Sequence, residues 1–204
     1  MAFRIMTPLQ QHIQNWAPCQ RCELASQRWG KSKIVLGKGD IPADVLFTGE
    51  SPGESEDLDG IPFTGPAGAL LDRITAQAFV GNEHLTRAYT NLVACFPREA
   101  KETGDHRPPD LCIKACAPRL KEFVRIVQPK LIILVGQLSK KWIPGQATFS
   151  NRSDGELEWL DLGRSLEFCE IIHPSYILAR MEPAQKPLAV RRCVVDIAEA
   201  ISRI

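Results

Sequence analysis

Residues 45–74 read VLFTGESPGESEDLDGIPFTGPAGALLDRI, and the reading of this stretch decides the fold. Val45 to Phe47 is a short apolar run of strand type. It breaks at Gly49-Glu50-Ser51-Pro52-Gly53 and passes an acidic patch of Glu54, Glu56, Asp57 and Asp59. A helical pattern follows through Leu70, Leu71 and Ile74. A strand, a glycine-rich turn and a helix start, in that order, is how α/β folds build a ligand site at the carboxyl end of a sheet. Glycines there let the backbone approach a ligand and offer it N–H groups. The Gly-Lys-Ser/Thr ending of a phosphate loop is absent, and so is the G-x-G-x-x-G of a dinucleotide fold. The acidic patch also disfavours a polyphosphate. A flat, uncharged ring stacked on Phe63 suits the stretch better.

The same alternation continues along the chain. Residues 87–95 read as a second core strand carrying Asn91 and ending on Cys95, and residues 130–136, KLIILVG, as a strand buried on both faces. Residues 166–173, LEFCEIIH, form the last core strand and end on His173. Between them fall helices expected at roughly 67–79 and 110–127, another beginning at 137–143, and a C-terminal one at 187–204. In the second of these, Leu111, Ala115, Leu120, Phe123, Val124 and Val127 are expected on the core face. Residues 31–39 read as an edge strand or hairpin edge, 148–163 as a hairpin excursion, and 8–16 as a short helix presenting Leu9, Ile13 and Trp16 on one face. The order β-α-β-α-β-α-β-α predicts an α/β fold, a three-layer α/β/α arrangement with a four-stranded, mainly parallel sheet. The four strand ends, Gly49-Glu50, Asn91, Gly136 and His173, then lie along one crevice.

The totals agree with one domain spanning residues 1–204: 204 residues, 44% hydrophobic, 24% charged. No apolar run approaches membrane-spanning length and no signal-peptide core opens the chain, so a cytoplasmic protein is expected, with no membrane partner. Net charge is +1 and does not by itself announce nucleic acid. The distribution is more informative. Residues 1–40 hold six Lys/Arg against two acids, and residues 41–74 one Arg against seven acids. A basic surface beside an acidic pocket is compatible with holding a phosphate backbone; ordinary solvated faces explain it equally well.

Seven cysteines in such a chain point to metal or redox work rather than a disulfide framework. Cys19-Gln20-Arg21-Cys22 is a lone C-x-x-C, which is half a zinc site, half an iron–sulfur site or a redox pair. No strand precedes it, which disfavours the redox pair.

Residues 49–74, GESPGESEDLDGIPFTGPAGALLDRI, resemble the first motif of the family 4, iron–sulfur, uracil-DNA glycosylases. The segments CQRC (19–22), YTNLVAC (89–95), ACAPRL (115–120) and HPSY (173–176) extend the resemblance over most of the chain. It implies a uracil-DNA glycosylase-like fold and a monofunctional enzyme. Such an enzyme flips uracil out of DNA, hydrolyses the N-glycosidic bond and leaves an abasic site in base excision repair. It implies that Phe63 stacks on uracil, Asn91 reads its edge with one donor and one acceptor, and His173 donates toward O2 as the bond breaks. Gly49 and Gly53 would supply backbone N–H groups, and Ser175, Tyr176 and Ile177 would wedge into the vacated stack. Cys19, Cys22, Cys95 and Cys116 would hold a 4Fe–4S cluster that staples the N-terminal arm, residues 1–40, to the second strand and its helix. Zinc is the alternative, and Cys112 is the rival to Cys116. The implied partner is uracil-containing DNA, bound by a monomer.

Two departures qualify the resemblance. Where some uracil glycosylases place an Asp to orient water, this chain has Ser51. That implies a dissociative route in which Glu50 and Glu54 assist, and Glu54 is also the candidate for rejecting thymine. The loop between Cys95 and Cys116 is long and contains His106 and Arg107. His106 keeps open a uracil-DNA capture protein that bonds covalently to the sugar; otherwise His106 is a solvated loop residue with Lys101 and Arg107 touching phosphate. A superfamily member acting on a different modified base, or a zinc-stapled DNA-binding module, are the remaining alternatives.

Overall fold

The computed structural model describes residues 6–28, 30–98, 107–143 and 166–204. The segment expected as a hairpin excursion at 148–163, most of the charged loop before residue 107, and His106 with it, lie outside these.

Five strands form one sheet, β1 (Lys38–Gly39), β2 (Val45–Gly49), β3 (Arg87–Asn91), β4 (Leu131–Val135) and β5 (Glu167–Ile171), in the order β1-β3-β2-β4-β5. The four core strands run parallel. The fifth, β1, is a two-residue antiparallel addition with Lys38 opposite Tyr89, so the expected four-stranded sheet gains a short edge strand. β2 and β4 occupy central positions and are buried at every residue, as their unbroken apolar runs require.

Alternate residues of those strands point to opposite faces, and each face carries its own core. Leu46, Ile132 and Leu134 pack under α5 (Asp110–Val127), which contributes Ile113, Leu120, Phe123, Val124 and Val127, and α6 (Gln137–Trp142) adds Trp142. Val45, Phe47, Leu131, Ile133 and Val135 pack on the other side. There they meet α4 (Pro66–Ala78) through Leu70, Leu71 and Ile74, and α8 (Lys186–Ile201) through Ala189, Cys193, Ile197 and Ile201. Cys112, Cys169 and Cys193 are buried among these side chains, as small core residues are. The result is the expected three-layer α/β/α arrangement. Helix α5 turns slightly from its expected setting: Leu111 is 79% exposed and Ile113 takes the core position.

Two acids of the patch after β2 turn inward. Glu54–Asp59 forms a short helix, α3, ended by Gly60 in the left-handed conformation. Glu56, at its third position, reaches back to the N–H of Gly53 in the manner of a capping box. Asp57 is 1% exposed and pairs with Arg98 and with Ser32 Oγ at 2.8 Å. These carboxylates therefore serve the turn rather than a ligand. Strand β3 stops at Asn91 instead of running to Cys95, because the carbonyls of Asn91 and Leu92 accept hydrogen bonds from the buried guanidinium of Arg119.

The N-terminal arm, α1 (Pro8–Trp16) and α2 (Glu23–Ser26), docks on α5. The inward face differs from expectation: Ile13 is 43% exposed and His12 is fully buried. Glu122 on α5 explains the rotation. Its carboxylate meets His12 Nδ1 at 2.9 Å, accepts from Trp16 Nε1 at 2.9 Å, and takes a longer 3.4 Å contact from Asn15. Burial lowers the His12 pKa, so the neutral ring donates its Nδ1–H to the carboxylate. Glu122→Ala strands a buried imidazole donor and should cost about 1–3 kcal/mol, read as a fall of several degrees in Tm by calorimetry. Asn15→Ala should stay within about 0.5 kcal/mol.

Candidate functional site at the carboxyl edge of the sheet

Parallel register brings the special residues together. Gly49 pairs with Asn91, and the N–H of Leu92 donates to the Gly49 carbonyl at 2.9 Å. On the other side, the N–H of Gly136 donates to the Ile171 carbonyl at 3.0 Å, two residues before His173. Asn91, Gly49-Glu50, Gly136 and His173 therefore follow one another across β3, β2, β4 and β5 at one edge.

The backbone of Gly49 lies at the centre of this convergence. A Cβ on Gly49 would collide with Asn91 Oδ1 and lie 2.8 Å from Phe63 Cζ, so the amide and the ring edge converge over this one residue. Asn91 is 3% exposed and Phe63 6%. Phe63 adopts φ +55°, a left-handed backbone that a bulky residue reaches only under constraint. The constraint is visible. Lys38 Nζ donates to the Phe63 carbonyl at 3.2 Å, and Gly68 lies so close that any Cβ there would overlap that peptide. The ring packs edge-on against Tyr89 at 5.9 Å.

Glu50 and His173 flank Gly136. A Cβ on Gly136 would meet the Glu50 carboxylate and lie 3.0 Å from His173 Cδ2. Glu50 Oε1 accepts from the Leu138 N–H, at 3.0 Å, in the first turn of α6. His173 precedes α7 (Pro174–Ala179), and its Nδ1 accepts from the Ser175 N–H at 3.2 Å with Ser175 Oγ 2.7 Å away. A backbone N–H can only donate, so Nδ1 is the acceptor and the ring proton resides on Nε2. Burial pushes the His173 pKa down to about 4. At neutral pH the edge thus offers an uncharged Nε2–H donor beside a carboxylate, with the Asn91 amide three strands away along the same edge. That set can grip a flat heterocycle by its edges and stabilise negative charge developing on it.

Other expected residues fall as follows. Ser51 is half-buried and Glu54 is exposed at the start of α3. The Gly53 N–H is engaged by Glu56, so this group does not face a ligand, contrary to expectation. Ser175 and Tyr176 are on the surface, Tyr176 at 54%, whereas Ile177 is 1% exposed and belongs to the core. Any wedge on α7 is therefore Tyr176, with Leu178 beside it at 38%. Arg107 is exposed ahead of α5, and His106 lies outside the described residues.

A second feature opens on the α5 side. Cys19, Cys22, Cys95 and Cys116 line one pocket with about 380 Å³ of atom-free space including its mouth; Cys112 is not among its walls. Burial pushes the Cys95 thiol up to about 12; Arg28 draws it down, and Cys116, Cys22 and Cys19 raise it further. Among the described residues no three His, Cys, Asp or Glu side chains stand together as around a single metal ion. The wall also holds Arg119, whose Nε has no hydrogen-bond partner among the described residues. Cys19, Cys22, Cys95 and Cys116 thus share one wall with a buried, unpaired N–H, a donor set that could hold a metal or a metal–sulfur group. Sequence reading missed Arg119, Glu56 and the Leu138 N–H. The only signal for Arg119 was its place three residues after Cys116 on a helix.

The chain matches the model of the family described as Uracil DNA glycosylase superfamily over residues 36–197. It is 31% identical to the Type-4 uracil-DNA glycosylase of Saccharolobus solfataricus, over 78% of this chain and 72% of that protein. It is 35% identical to the protein of the same name from Sulfurisphaera tokodaii, over 61% of this chain and 53% of that one. With the Archaeoglobus fulgidus protein of that name the identity is 27%, over 86% and 85%.

The His173 assignment has a direct check. A ¹⁵N NMR titration should show Nε2 protonated and Nδ1 bare down to pH near 4; a midpoint near the ordinary 6.5 would overturn it. The stability linkage has a definite sign. The folded pKa lies below the unfolded one, so the unfolded chain takes up the proton first. His173's contribution is intact above pH 6.5 and is lost as the pH falls toward 4.

Proposed function

The chain belongs to the uracil DNA glycosylase superfamily, and from that premise we propose that it is a uracil-DNA glycosylase, a hydrolase of N-glycosyl bonds acting in DNA repair. One observation carries the mechanism: Gly49, Phe63 and Asn91 converge at one end of the sheet edge, and a neutral His173 donor stands at the other.

A duplex base cannot reach a pocket floored by a buried strand end, so the uracil is flipped out of the stack. It lies over Gly49 with Phe63 against its face. The Asn91 amide gives a donor to O4 and an acceptor to N3–H, a pattern that cytosine mismatches. As the glycosidic bond lengthens, electron pairs move into the ring and charge builds on O2. The Nε2–H of His173, held in that tautomer by Ser175, is placed to receive it. A neutral donor suits this role, because it stabilises the oxyanion without first giving up a proton. The Glu50 carboxylate, anchored at the start of α6, favours the positive charge that develops on the sugar. Ser51 and Glu50 position the water that adds to the sugar, with Glu54 at the mouth. Uracil leaves and an abasic site remains. No lysine of a lyase type enters, so the strand is not cut.

Tyr176, flanked by Ser175 and Leu178, fills the vacated stack, and Arg107 and His106 touch the backbone. Cys19, Cys22, Cys95 and Cys116 would hold the 4Fe–4S cluster, whose chemistry is structural: it staples the arm to β3 and α5. This unit would act in the cytoplasm as a monomer. Among the described residues no helix is long and apolar enough to cross a membrane.

A denaturing gel of labelled uracil-containing oligonucleotide tests the reading. Cleavage should appear only after hot alkali. Asn91→Ala and His173→Ala should each lower the single-turnover rate by about 100-fold or more. A slow band surviving denaturant would instead mean covalent capture through His106, and an unchanged oligonucleotide would sink uracil excision. A brown preparation absorbing near ~400 nm is expected; a colourless, zinc-loaded one would overturn the cluster.

A further inference from the structure

Arg119 is the most buried cation of the described residues: 1% exposed, in the interior between α5 and the end of β3. Its Nη1 donates to the Leu36 carbonyl at 3.2 Å and to Thr90 Oγ1 at 2.6 Å. Its Nη2 donates to the carbonyls of Asn91 and, at 3.0 Å, Leu92. All four partners are neutral, and no carboxylate among the described residues pairs with it. The remaining N–H, on Nε, has no partner among them, and the side chain forms part of the wall of the four-cysteine pocket. Cys116 and Arg119 lie three residues apart, so one face of α5 presents both to that pocket.

A buried charge without a counter-charge is strongly unfavourable, and the unpaired Nε–H adds an unmade hydrogen bond. Both deficits belong to a side chain in the wall of the four-thiol pocket. Four thiolates around a cluster carry net negative charge and expose sulfur acceptors.

We propose that Arg119 is a positioning residue that couples the four-cysteine pocket to the base-reading end of the sheet. Its charge and Nε–H face the cluster, and its Nη2 fixes the backbone carbonyl of Asn91, with Nη1 tied to Leu36 and Thr90. This rests on the cluster and on the role of Asn91 proposed above. The fork has two separable jobs. The charge balances the cluster, which a lysine retains. The fork geometry sets the Asn91 peptide, which only arginine provides.

The test uses the iron-loaded full-length protein. Arg119→Met should release iron to a chelator about 10–100-fold faster and lower kcat/KM on uracil-DNA by a similar factor. Arg119→Lys should keep near-wild-type iron retention yet still lose activity through kcat. In an Asn91→Ala background the Arg119→Lys effect on the single-turnover rate should vanish, because the arginine acts through Asn91; a merely structural arginine would give the same loss in both backgrounds. Unchanged iron release in Arg119→Met, or additive losses in the double variant, would overturn the proposal. If Arg119→Met does not fold, the lysine variant and the double variant decide alone. Should the wild type hold iron but fail to excise uracil, the reading of the reaction fails. The chelator comparison then still decides whether Arg119 faces the cluster.

Discussion

Everything at the site depends on the parallel pairing of Val45–Gly49 with the strands on either side. Because the four core strands run the same way and in register, their carboxyl ends finish side by side, and residues far apart in sequence become neighbours. The two faces of β2 and β4 are filled by separate helical layers, so a shift of one residue would turn each inward side chain to the opposite layer. The sheet edge is therefore as rigid as the core beneath it. That is the condition under which an amide, a ring and an imidazole can be held for selective chemistry.

The arm and the four thiols form a second level built on this frame. α1 would have little reason to stay, since it is short and buries few apolar groups. Glu122 holds it by collecting the polar hydrogens of His12 and Trp16, and the cysteines surround a pocket between the arm, β3 and α5. Glu122 closes this seam by polar contacts, and the cysteines lie along it.

Much of this was legible beforehand. Continuous apolar runs such as LIILV mark buried parallel strands without ambiguity, and glycine and asparagine at strand ends mark the crevice. What stayed hidden depended on partners distant in sequence. Nothing local distinguishes His12 from Ile13 as the inward residue, because the decision is made by Glu122 more than a hundred positions away. The same holds for Glu56 and Asp57, which read as a solvated acidic run until Gly53 and Arg98 are seen to need them. Ile177 was assigned to DNA by the resemblance alone, and a six-residue helix gives too little pattern to show that it turns inward. Arg119, a charge amid an apolar helix face, was hidden for the same reason: its partners at Leu36 and Thr90 to Leu92 are distant in sequence.

The backbone of Phe63 carries one more consequence. A phenylalanine held at φ +55° by Lys38 and Gly68 has lost its freedom before any ligand arrives. The entropy of ordering that ring is spent when the chain folds, so binding does not have to supply it. On the function proposed above, such a site would not mould itself around what enters but would test each base against a fixed template. The slow and costly rearrangement would then fall to the nucleic acid, and a base already loosened from its partner would be admitted ahead of one still well paired.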